Sequence, residues 1–167
     1  MVASGEAIYR EKLHLAEAEA RIRGLWHPFH AALRGEIGAT RDRFGACLVI
    51  DCHSMPGGCM APRPPADIVL GDGHGTTCAP RIVRRVEELL RDQGFVVRRN
   101  DPYAGGYITR HYGRPREAVH AVQIEISRPL YMDESLMERS DDFADVQTRI
   151  GAMIAGLAAS LPVLDPA

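Results

Sequence analysis

A chain of 167 residues with a net charge of −2 has no electrostatic basis for gripping a nucleic acid or an anionic membrane surface. Its 46% hydrophobic and 25% charged residues are ordinary for a soluble globular protein, and its length suits one domain, residues 1–167, with a real core. No apolar run approaches the length of a membrane-spanning helix, and Glu6, Arg10 and Glu11 stand where a secretory leader needs an apolar stretch.

Four cysteines, Cys47, Cys52, Cys59 and Cys78, form no CxxC pair, which points to a reduced, cytoplasmic setting. A zinc cluster of Cys52, His53, Cys59 and Cys78 fits no common structural spacing.

Residues 5–37 have a helical pattern, with Ile8, Leu13, Leu15, Ile22, Leu25, Phe29 and Leu33 recurring near helical spacing. Pro28 starts a second helix or kinks the first. His14 and Glu17 share a helix face as an HxxE string, but a charge-rich helix produces such a string on its solvated side. Trp26-His27-Pro28-Phe29-His30 reads either as an aromatic anchor packing the helix or as a wall of a cleft. Residues 35–45 read as a connector, with room for a short helical end.

The chain is organised around Cys47-Leu48-Val49-Ile50-Asp51-Cys52-His53-Ser54, a buried strand over 46–52 that ends in a polar loop. Asp51 and His53 are two apart and leave the strand on one side. Two readings stay open: a metal-binding His steadied by a nearby carboxylate, or a strand-terminal His capped by its loop. The loop 54–65 is rich in Pro and Gly, and such loops at a strand's carboxyl end carry sites. A second strand spans 67–71. The turn Asp72-Gly73-His74-Gly75-Thr76-Thr77-Cys78 lacks both GxGxxG and a phosphate-loop Lys, which excludes a nucleotide fingerprint there. Thr77 is the expected cap of the next helix and Pro80 suits its first turn.

Residues 79–93 predict an amphipathic helix with the stripe Ile82, Val83, Val86, Leu89 and Leu90. A third strand covers 95–97. The segment 102–116 is too long and too rich in aromatic and basic residues for a mere connection. Arg110 or Arg114 within it suits a carboxylate, unless each serves only a surface ion pair. A fourth strand, 119–126, places Glu125 between Ile124 and Ile126. A carboxylate there costs several kcal/mol unless paired or protonated. It is either a general base and acid or one half of a buried pair with an Arg such as Arg128. A final helix is expected over 133–161, capped by Asp133 or Ser135, with Phe143, Val146, Ile150, Met153, Ile154 and Leu157 facing inward. Strands alternating with helices predict an α/β fold.

Cys52-His53-Ser54, the loop Gly105-Gly106-Tyr107-Ile108-Thr109-Arg110, and Val122-Gln123-Ile124-Glu125-Ile126 together resemble the N-formylglutamate amidohydrolases. Trp26-His27-Pro28-Phe29-His30 and Gly71-Asp72-Gly73-His74-Gly75 are similar to other parts of that family's pattern, and the likeness runs from about Tyr9 to Leu157. It implies a mixed β-sheet flanked by helices, phosphorylase/hydrolase-like and related to the zinc carboxypeptidases. It implies zinc-dependent hydrolysis of N-formylglutamate, or of a similar N-acyl amino acid, in histidine degradation. By that likeness His53 is a Zn2+ ligand and Glu125 the general base and acid. Arg110, then Arg114 and Arg128, meet the carboxylates of a small acidic substrate, and Gly106 and Tyr107 line its pocket. The family's other two zinc ligands belong to an N-terminal section that this sequence does not show. The resemblance therefore implies an N-terminally truncated, partial domain whose uncovered strands favour self-association. The alternatives are an inactive remnant and a carboxypeptidase-like peptide hydrolase.

Overall fold

A computed structural model of the chain describes residues 7–57 and 65–160. The chain forms two compact units, Met1–Ala39 and Thr40–Ala167. The first is helical from Leu15 on, whereas its described residues 7–14, inside the predicted helical range 5–37, form no helix. Helix α1 spans Leu15–Arg21, a π-helical stretch follows at Ile22–Trp26, and α2 spans His27–Phe44. The connector expected at 35–45 is therefore mostly helix. Gly35 and Gly38 weaken a helix only modestly, and a Cβ at either would touch nothing within 4 Å. Glu17 pairs with Arg21 one turn later at 2.5 Å, the solvated-face behaviour expected of the HxxE string. The rings of Trp26 and Phe29 lie 4.2 and 5.1 Å from that of His30.

The second unit is built on a mixed sheet of order β1-β4-β2-β3. Its strands are β1 (Cys47–Met55), β2 (Ile68–Gly71), β3 (Val97–Arg99) and β4 (Val119–Ser127). β1 runs parallel to β4, β4 antiparallel to β2, and β2 parallel to β3. β4 has neighbours on both sides, and its first seven residues are all buried. That central position buries both faces of the strand, its polar His120, Gln123 and Glu125 included, which accounts for the weak alternation seen in it. β1 extends past the predicted end to include His53 and Ser54, because its ladder with β4 continues to Met55↔Ser127.

Strand parity sorts the two faces. Even-numbered Ile68, Leu70, Val122 and Ile124 join a core with α3 (Pro80–Asp92) and α5 (Phe143–Ala159). The predicted stripe of α3 is buried in full, and each such side chain contributes about 1.5–3 kcal/mol. From α5, Val146, Met153 and Leu157 are buried, whereas Ile154, expected inside, is 43% exposed. The odd-numbered residues of β1, β2 and β4 occupy the opposite face, where Met55 and Val69 form a smaller cluster with Ala66 beside Tyr103.

Three local expectations give way to better partners. Thr77 does not cap α3: its hydroxyl donates to the Ala121 carbonyl of β4, and Ala79 takes the N-cap position. The last helix begins at Phe143, not near 133. Asp133 Oδ1 accepts the Ser135 and Leu136 N–H groups and the Ser135 hydroxyl, which closes a local turn that competes with helix. That turn joins the two-residue strands β5 (Met132–Asp133) and β6 (Glu138–Arg139). The third strand lies two residues later than predicted. Phe95 is buried ahead of it, and the Val96 N–H donates to Asp67 outside the ladder.

Candidate functional site

The polar residues of the sheet gather on its odd-numbered face, at the carboxyl ends of β1 and β4. The parallel register sets Asp51 beside Gln123 and His53 beside Glu125. His53 stands between two carboxylates. Its Nε2 lies 3.1 Å from Asp51 Oδ1, and its Nδ1 lies 3.9 Å from Glu125 Oε1. The His53 side chain is 45% exposed and that of Glu125 8%, so the imidazole opens to solvent over a buried carboxylate. Asp51 Oδ2 is buried without a hydrogen-bond partner, a costly state for a carboxylate oxygen.

Glu125 is not paired with Arg128. That guanidinium meets Ser54 Oγ at 3.3 Å and Glu134 at 3.5 Å. Glu125 Oε1 instead accepts a 2.5 Å hydrogen bond from Gln123 Nε2, and Gln123 Oε1 accepts the Gly106 N–H at 2.5 Å. The sequence reading gave Gln123 no role. The signal was available in its spacing of two from Glu125 on a strand, which puts both on one face.

Gly106 is the N-cap of a short helix, α4 (Tyr107–Tyr112), inside the segment first read as a loop. The approach to it is fixed by bare backbone. A Cβ on Gly71 would come within 2.6 Å of Gly105 N, so only glycine lets the 104–106 strand of chain lie on the end of β2. The Gly73 N–H donates to the Ala104 carbonyl, and Asn100 bridges to Asp72 through its side chain, 2.7 Å from Asp72 Oδ1. Tyr107 opens α4 half-exposed, its ring stacked on His111 at 4.9 Å.

The two candidate arginines sit differently. Arg110 follows Gly106 by one helical turn and donates its N–H to the Gly106 carbonyl. Arg114 lies beyond the far end of α4, where Nη1 donates to the Arg110 and Gly113 carbonyls. Arg114 is bridged to Val119, and the six positions from Val119 to Glu125 along β4 span about 20 Å. Arg110, Arg114 and Arg116 line a cavity of about 660 Å³ with Thr76, Thr77 and Glu117. The structure thus brings together Gly106, Glu125 and His53, and sets Arg114 apart from them.

Among the described residues no three His, Cys, Asp or Glu side chains are grouped as a metal site. Of the cysteines weighed for zinc, Cys78 is fully buried, with its thiol pushed up to about 12 by burial, and Cys59 lies outside the described residues. Among the described residues no helix is long and apolar enough to cross a membrane.

Known proteins resemble this chain over most of its length. Residues 1–132 match the family model of N-formylglutamate amidohydrolase. N-formylglutamate deformylases from Pseudomonas aeruginosa and Pseudomonas putida are 36% and 32% identical over 137 and 136 residues, in each case 78% of this chain. The chain spans about half the length of these curated relatives, 51% of each. A solved N-formylglutamate amidohydrolase from Ralstonia eutropha superposes with a TM-score of 0.84 at 42% identity, covering 93% of this chain and 57% of that one. A gene product of Agrobacterium tumefaciens superposes at 0.60 with 25% identity, covering 89% and 56%. The matched residues take in β1, the Gly106 segment and β4, and the chain belongs to the N-formylglutamate amidohydrolase family.

Proposed function

We propose that this chain takes part in hydrolysing the amide bond of N-formylglutamate, or of a similar N-acyl amino acid, to formate and the free amino acid in histidine degradation. The observation that supports the reading most is the row Asp51, His53, Glu125 and Gln123 on one sheet face, with His53 3.1 Å from Asp51 and 3.9 Å from Glu125, and Gln123 hydrogen-bonded to Glu125. In this reading the fold is of the zinc carboxypeptidase-like type and the molecule works as one domain in the cytoplasm. Its partner is a small acidic substrate, not a nucleic acid or a membrane, and the sheet edge at β1 favours self-association.

Glu125 is the general base and acid. It takes a proton from water as the water oxygen bonds to the formyl carbon, and it gives a proton to the amide nitrogen as the C–N bond breaks. Burial beside β2 keeps the carboxylate in one place, and Gln123 occupies one of its oxygens. Arg110, one helical turn from Gly106, is the nearest cation on α4 for a substrate carboxylate. Arg114 is the second candidate, bound already to two carbonyls. Tyr107 and Gly106 border the same ground.

His53 stays the zinc-ligand candidate of this reading, supported by the Asp51 carboxylate 3.1 Å from its Nε2, the kind of partner that orients a ligating imidazole. It is a single ligand, and a catalytic zinc takes three from protein, so no step here is routed through the metal. When bound, zinc polarises a carbonyl oxygen and acidifies water.

Formate release from N-formylglutamate by the full chain is the direct test. Glu125→Gln keeps the size and the hydrogen bond to Gln123, and is expected to lower kcat by about 10²–10⁴. Release that persists in Glu125→Gln removes the general base from this reading.

A further inference from the structure

The arginine-lined cavity belongs to the substrate reading already given, and Cys52 is a lone exposed thiol. The group left without a role is Gln123. Its side chain is buried on both sides by strand neighbours, Asp51 of β1 and Gly71 of β2. A buried primary amide must satisfy an acceptor oxygen and a donor nitrogen, and here each has one short partner.

From this pairing we infer that Gln123 is a positioning residue, which ties the Glu125 carboxylate to the backbone at Gly106 and so makes the geometry of that carboxylate depend on the seating of the 104–107 segment. The inference rests on Glu125 being the general base. Its logic is directional. A backbone N–H can only donate, so Gly106 fixes which end of the amide faces it. The Gln123 NH₂ must then point at Glu125, and it fixes Oε1 as an acceptor. The segment lies against the end of β2 because Gly71 presents no side chain, and the Gly73 N–H holds Ala104 there. A Cβ on Gly106 would meet Gln123 Oε1 at 3.2 Å, so a side chain there would press on the link. Tyr107 and Arg110, which start and follow the same helix, are thereby placed by the contact that orients Glu125. Seating the substrate against α4 and aligning the base become one event.

The test uses amide hydrogen exchange at Gly106 in the full chain, measured by NMR, with formate release assayed on the same samples. Gln123→Met preserves volume and removes both hydrogen bonds. Exchange at Gly106 is expected to rise about tenfold or more, the scale of one lost hydrogen bond, while the core amides of β4 stay protected. Glu125→Met strips the amide of its acceptor and is expected to loosen Gly106 as well. Glu125→Gln restores an acceptor oxygen and is expected to return Gly106 exchange to the wild-type rate. In turnover, Gln123→Met is expected to lower kcat about tenfold with KM changed less than twofold. Unchanged Gly106 exchange in Gln123→Met, or a wild-type kcat in that variant, overturns the inference. No formate release from the wild type defeats the hydrolase reading instead, and the exchange pattern then decides the link by itself.

Discussion

Two glycine-to-alanine substitutions separate packing from backbone freedom in this fold. Gly71 ends β2, and a Cβ built on it lies 2.6 Å from Gly105 N and 2.8 Å from the Ala104 carbonyl carbon. Both are backbone atoms, so no side chain can swing aside. The 104–106 segment must lift, or β2 must fray at its end. Overpacking of this kind costs about 1–3 kcal/mol. Gly151 lies inside α5, where a Cβ meets nothing within 4 Å. There alanine restricts the unfolded chain without a clash and stabilises by about 0.5–1 kcal/mol. Urea unfolding followed by circular dichroism is expected to move the midpoint down for Gly71→Ala and up for Gly151→Ala, with the slope unchanged in both. Gly71→Ala is also expected to speed exchange at the Gly106 amide. A Gly71→Ala protein as stable as the wild type, with Gly106 exchange unaltered, refutes the close-approach argument.

His120 is buried on β4, where burial first and the Arg81 charge second hold its imidazole below the usual value of 6.5. The unfolded chain therefore binds the extra proton more readily, so stability is full above about pH 6.5 and falls as pH drops below it. In His120→Gln that fall is expected to be shallower between pH 7 and 5, and an equal drop in the urea-derived unfolding free energy of the two proteins between those pH values counts against it. The thiols give a second check. In a Cys59→Ser background a thiol reagent is expected to modify exposed Cys52 first, and to leave Cys78, fully buried and pushed up to about 12, untouched until unfolding. Equal rates at the two sites in the folded protein contradict the burial of Cys78.

Much of the second unit is legible in the sequence, because its elements carry strong local signals. The α3 stripe has helical period and Pro80 at its start, and the apolar runs of β1, β2 and β4 are bounded by glycine, proline and polar loops. What fails is local chemistry with more than one outlet. Asp133 closes a turn where it was expected to cap a helix, and Thr77 gives its hydroxyl to β4. The stretch 35–45 reads as a connector yet lies mostly within α2, since nothing crowds Gly35 and Gly38 and the helix tolerates their entropy cost. Of the site, Asp51, His53 and Glu125 are visible as polar residues at strand ends. The distance from Arg114 to Glu125 is not, because it depends on α4 running back along β4, and a six-residue helix has too weak a period to announce itself.

The register explains why these few residues act together. In parallel pairing, Asp51 meets Gln123 and His53 meets Glu125, so four odd-numbered side chains share one face. A slip of one residue between β1 and β4 would set Cys52 against Glu125 and turn the apolar even-numbered set away from α3 and α5. The core therefore guards the site. Ile50, Val122, Ile124 and Ile126 are held or packed against the helices on the even face, and shifting either strand would unseat them. The burial of Glu125 and Gln123 is met within β4 by their mutual hydrogen bond and by the Gly106 N–H, while the register decides that His53 faces Glu125. The polar row thus inherits its precision from the apolar layer behind it, and substitutions that loosen the even face are expected to disturb His53 and Glu125 without touching them.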